Sequence, residues 1–127
     1  SIVIGVNNQY QGIPISTYEP DLRQITELAL EIVQGDGSKV FMVSIPDYAF
    51  TPFGKGNATI SKEIDNYNAV NKRIAQEYQI AWVNVTNLSR QGLSKPDLVA
   101  GDGLHPSGVQ YGKWIQEMKP LLNLPEK

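Results

Sequence analysis

A single histidine, His105, sits in the stretch AGDGLHPSGVQYGKW at residues 100–114, three residues after Asp102. A carboxylate and an imidazole at that spacing can meet across one turn of backbone. The carboxylate then accepts from Nδ1, fixes the tautomer and stabilises the imidazolium that forms when Nε2 takes a proton. Gly103 relaxes the backbone between the two, and Pro106 with Ser107 launches a helix. The same residues also fit a surface histidine beside a helix start, with Asp102 as a turn residue. A second cluster, IGVNNQYQG at residues 4–12, directly follows a short apolar run. An Asn amide there, with a backbone N–H as companion, can donate to a developing oxyanion. Asn7 and Asn8 equally suit a turn, where Asn tolerates left-handed backbone and bonds locally.

The elements that must position these residues follow from the apolar pattern. Runs at residues 2–6, 40–45 and 80–85 are nearly continuous and predict strands covered on both faces, as in parallel sheets. Helical spacing runs from about residue 19 to 34, with Leu22, Ile25, Leu28, Ala29 and Ile32 inward and Pro20 in the first turn. A second stripe, Ile64, Tyr67, Asn71, Ile74, Ala75 and Tyr78, predicts a helix over 61–78 with Ser61 as N-cap. A third helix is expected over 107–119, with Val109, Trp114, Ile115 and Met118 as core contacts and Pro125 as the stop. The order β-α-β-α-β-α predicts an α/β fold, a parallel sheet with helices on both faces. Functional residues in such sheets gather in the loops after the strands, here 7–17, 46–60 and 86–106. On these loops Gln9 and Tyr10, and Asp47, Tyr48 and Phe50, are candidates for lining a substrate site; loop packing is the plainer role for each.

The bulk composition narrows the function classes. One domain, residues 1–127, is expected from the length. A charged fraction of 19% and a net charge of −2 argue against a nucleic-acid footprint. No apolar run approaches the roughly 20 residues of a membrane span. The chain has no cysteine, which excludes disulfides and thiolate chemistry. One histidine and scattered acids predict no metal site, and no Gly-rich phosphate loop follows a strand, so no cofactor is implied. Asp21, Glu27, Glu31, Glu63 and Asp65 read as solvated helix faces, and Trp82 and Trp114 as core. Three Asn-x-Ser/Thr triplets begin at Asn57, Asn84 and Asn87; in an Asn-rich chain they read as chance, and Asn84 falls in the third strand.

Taken together, GVNN at residues 5–8 and DGLHP at 102–106 resemble two blocks of the SGNH hydrolases, also called GDSL-type esterases and lipases. VSIPDYAFTPFG at residues 43–54 is similar to a bacterial subgroup of that family. The resemblance spans the chain from its first strand to its last helix. It implies a flavodoxin-like SGNH hydrolase fold, here its C-terminal three β-α units, and hydrolysis of a small-molecule ester. It further implies His105 as base and then acid, Asp102 as its orienter and Asn7 as oxyanion donor, with Asn8 standing where the family has Asp. The family's nucleophilic serine lies in an earlier block that has no counterpart here. Ser38 falls in a helix-to-strand turn, and Ser44 lacks the family's flanking residues, so no nucleophile is expected in this chain. The first strand would then expose an apolar edge for a preceding N-terminal segment, or for another copy of the chain. A chain that opens on SIVIGV reads as a fragment or a processed product. The alternative class is a non-catalytic α/β binding or interaction module on the same scaffold. A flavodoxin-like ligand binder would need a phosphate loop after the first strand, and NNQYQG is too bulky for one.

Overall fold

A computed structural model describes residues 1–121; the stop expected at Pro125 lies outside them. The chain divides into two compact units, Ser1–Ile45 with Glu63–Val83, and Pro46–Lys62 with the chain from Asn84 onward. Among the described residues, no helix is long and apolar enough to cross a membrane.

The first unit carries a parallel sheet. Strand β1 (Phe41–Val43) pairs with β2 (Ala81–Val83) in the register Phe41↔Ala81, Met42↔Trp82 and Val43↔Val83. The expected first strand shortens to one bridge, Ile2↔Met42, in which Ile2 donates to the Phe41 carbonyl and accepts from the Val43 N–H, both at 2.9 Å. The shortening has a local cause. Gly5 adopts φ 129°, and helix α1 (Val6–Tyr10) begins at the next residue. A Cβ at Gly5 would lie 2.6 Å from Ile45 Cδ1 and 2.9 Å from the Tyr18 hydroxyl, so the chain turns where only glycine fits. Because both peptide groups of Ile2 point to β1, the N–H and C=O of Val3 point to the opposite edge.

Helix α2 (Ile15–Ile32) starts four residues earlier than its periodicity predicts. Pro14 precedes it and its carbonyl accepts from Thr17 and Tyr18, which leaves Pro20 inside the helix rather than in the first turn. Its buried face is Tyr18, Leu22 and Thr26, whereas Leu28 is 51% and Ile32 84% exposed, contrary to the expected stripe. Helix α3 (Ala58–Glu77) buries Ile64, Tyr67, Asn71, Ile74 and Ala75 as its spacing predicts. From α3 the buried Asn68 grips the end of β1, accepting from the Ile45 N–H at 2.7 Å and donating to the Ile45 carbonyl at 3.2 Å. These two bonds satisfy backbone groups where the ladder stops. On the outer face Glu19 receives Arg23 and Arg73, at 3.0 and 2.8 Å, and those bonds hold its carboxyl down at about 2. Trp82 is half-buried instead of core, donating to Asn71 at 2.6 Å with the Lys72 ammonium over its ring.

In the second unit, helix α4 (Thr86–Ser89) and helix α5 (Gly108–Met118) flank the loop that carries His105. Asn84 lies just past β2 rather than in it, and its side chain accepts from the N–H groups of Thr86 and Asn87. Ser107 caps α5 as its side chain accepts from Gln110, matching the predicted helix start. Trp114 and Met118 are buried, while Val109 and Ile115 are half exposed and contribute less to the core than expected. Ser61 is not the N-cap of α3; its hydroxyl is used by Asp47 in this unit instead.

Candidate active site

The turn at residues 100–106 is built around Asp102. Its Oδ1 accepts from the N–H groups of Leu104 and His105 at 2.9 and 3.0 Å, and Gly103 takes φ 74° between them. The other oxygen, Oδ2, lies 2.6 Å from His105 Nδ1. One oxygen of Asp102 thus forms the turn and the other meets the imidazole. The Ala100 N–H closes the turn on the His105 carbonyl at 2.8 Å, and Val99 bridges Pro106. Downstream, Gln110 reaches back to the Leu98 carbonyl at 3.0 Å and anchors the turn to α5.

With Nδ1–H given to a carboxylate, the neutral imidazole carries its lone pair on Nε2. The ring is 70% exposed, and among the described residues no group bonds Nε2. Such a ring can accept a proton from a hydroxyl brought to it and return it to a leaving group. In the same unit no serine offers that hydroxyl: Ser61 donates to Asp47, Ser89 to the Thr86 carbonyl, Ser94 to Gln91 and Ser107 to Asp97. In the first unit Ser38 is bound to Asp36 in the turn before β1, and Ser44 is buried.

Three acceptor contacts hold the Asp102 carboxyl at about 2 against an ordinary 3.8, the two backbone N–H bonds first and the imidazole after them. A depressed folded value means that the turn's stabilisation is complete above the ordinary value and is lost as pH falls through about 2. The amide resonances of Leu104 and His105 are accordingly expected to titrate with a midpoint near 2. A midpoint at 3.8 would show that those bonds do not form in solution.

The loop after β1 abuts this turn. Phe53 donates its N–H to the Gly103 carbonyl at 3.0 Å, and the Pro52 ring packs against Gly103. Asp47 has 0% exposure; its Oδ2 accepts from Ser61 Oγ at 2.6 Å and Arg90 Nε at 2.9 Å, and its Oδ1 from the Ala49 N–H at 3.0 Å. Its own N–H donates to Ser89 Oγ at 2.7 Å. Tyr48 is half-buried, its ring 6.3 Å from that of the half-exposed Phe53.

In the first unit α1 carries Asn7, Asn8, Gln9 and Tyr10. Asn7 is exposed and Tyr10 is exposed at 62%, whereas Gln9 is buried at 6% and donates to Glu63 Oε2 at 2.7 Å. In the sequence Glu63 reads as a solvated helix face and Ser61 as an N-cap, and neither Ser89 nor Arg90 stands out. Glu63 is 54 residues from Gln9 and Arg90 is 43 from Asp47, so no local pattern could pair them.

A parallel β-α-β core is consistent with an α/β fold of the SGNH type. The sequence model of the GDSL-like Lipase/Acylhydrolase family matches residues 1–112, and the chain belongs to that family. No curated protein and no solved structure matches the chain.

Proposed function

We propose that the chain supplies the base, its orienting carboxylate and one oxyanion donor to a serine esterase that cleaves small carboxylic esters. The reading is carried by one observation, the 2.6 Å contact of Asp102 with His105 Nδ1 beside an open Nε2. His105 takes the proton of the attacking serine and delivers it to the departing alcohol, and Asp102 holds the tautomer and balances the imidazolium. Asn7, exposed on α1, donates its amide to the oxyanion. Tyr10, exposed on α1, and Tyr48, half-buried on the loop after β1, are candidates to contact the substrate, while the buried Gln9 and Asp47 each brace their own segment.

The serine comes from a segment outside these 127 residues, which by themselves are inactive. That segment adds a strand to the open edge at Val3 and covers the apolar surface beside it. Val3 and Ile4 are exposed, and Ile4 and Ile25 share a cleft of about 250 Å³ with Leu22 and Asn8. A fluorophosphonate probe is expected to label the full-length protein on serine and to leave the 127-residue chain unlabelled. A full-length protein that the probe does not label would favour a non-catalytic binding module. In the full-length enzyme Asn7→Ala is expected to lower kcat about 10²- to 10³-fold, read in steady-state ester hydrolysis.

A further inference from the structure

Helix α1 has no means of holding itself. It is five residues long and no side chain caps its N-terminus. A helix that short is unstable without tertiary anchors. Its entrance is fixed by the fit of Gly5 against Ile45 and Tyr18, and by the Tyr18 hydroxyl donating to the Ile4 carbonyl at 3.1 Å. Past its exit, the Tyr67 hydroxyl donates to the Ile13 carbonyl. Between those points the bond of Gln9 Nε2 to Glu63 Oε2 at 2.7 Å ties the helix to α3. The amide oxygen of Gln9 is buried and meets no partner among the described residues, so this bond alone orients the amide. A charged acceptor makes it stronger than a neutral amide pair.

We infer that Gln9 and Glu63 are positioning residues for the ester hydrolysis, a clamp between α1 and α3 that sets the direction of the Asn7 amide two residues away. The inference rests on the oxyanion reading of Asn7. An oxyanion donor must meet the tetrahedral intermediate within a few tenths of an ångström, and a helix pinned at both ends but free to roll would not deliver that. Glu63 is exposed, so its carboxylate holds the clamp without filling the core.

The test is steady-state ester hydrolysis by the full-length enzyme carrying Gln9→Ala, Glu63→Ala, Glu63→Gln, Asn7→Ala and the Asn7→Ala/Gln9→Ala pair. Gln9→Ala and Glu63→Ala are each expected to lower kcat about tenfold to a hundredfold with KM little changed. Glu63→Gln keeps an acceptor oxygen and restores most of the rate. With Asn7 already replaced, Gln9→Ala adds no further loss, because the group it positions is gone. If Gln9→Ala unfolds the protein, the two Glu63 variants carry the comparison alone. Wild-type kcat in both alanine variants, or an undiminished loss in the Asn7→Ala background, overturns the clamp and leaves the role of Asn7 standing. Full kcat in Asn7→Ala overturns the oxyanion reading, and the clamp falls with it.

Discussion

His105→Ala is expected to reduce ester turnover by the full-length enzyme to background, with the folded structure intact. The ring is largely exposed, so its removal leaves no cavity and strands no buried partner. Asp102→Asn is the sharper test. An asparagine keeps a side-chain oxygen for the N–H groups of Leu104 and His105, so the turn survives. What is lost is the charge opposite Nδ1, and an amide N–H in its place favours the wrong imidazole tautomer. By analogy with other triads the cost is up to about 10⁴-fold in kcat. The measurement pairs a kinetic assay with thermal unfolding. Near-normal activity in either variant, at unchanged stability, would falsify the assignment of the pair.

The second large effect is on stability. Asp47→Ala is expected to destabilise the fold by about 3–5 kcal/mol, the cost of removing one partner from a buried ion pair. Arg90, whose side chain is 28% exposed, would keep its charge without the carboxylate that meets it. The Ser61 hydroxyl and the Ala49 N–H would lose their acceptor at the same time. Asp47→Asn retains acceptor capacity and loses only the charge, so its effect should be markedly smaller. Equilibrium urea denaturation separates the two, provided that both variants keep the wild-type m-value. Equal and small effects would mean that the carboxylate is replaceable by water.

Legibility in the sequence varied with the range of the interaction. Helix α3 was readable because its apolar stripe is local and every member except Tyr78 is buried. Helix α5 was readable at its start, since Ser107 caps it within three residues, but Val109 and Ile115 face outward. The first strand was readable only as an apolar run. Its early end depends on Gly5 meeting Ile45 and Tyr18, residues 40 and 13 positions away. Pro20 reads as a helix entrance, whereas Pro14 serves as one, so α2 starts ahead of its expected position. At the candidate site, Asp102 and His105 were legible because three residues separate them. Their spacing leaves a turn bond and an imidazole contact as rivals for the carboxylate, which makes both through different oxygens. The bracing of Asp47 and Gln9 was out of reach, because each partner arrives from a distant helix or loop.

The bond from the Phe53 N–H to the Gly103 carbonyl has an evolutionary corollary. It welds the second loop to the turn that holds the histidine, and the loop is also too tight for change at Gly54, where a Cβ would come within 2.0 Å of the Tyr48 carbonyl oxygen. A loop fastened at that point cannot gain or lose residues between Asp47 and Phe53 without dragging His105. Insertions and deletions there are therefore expected to displace His105, whereas side-chain changes at fixed length leave the turn in place.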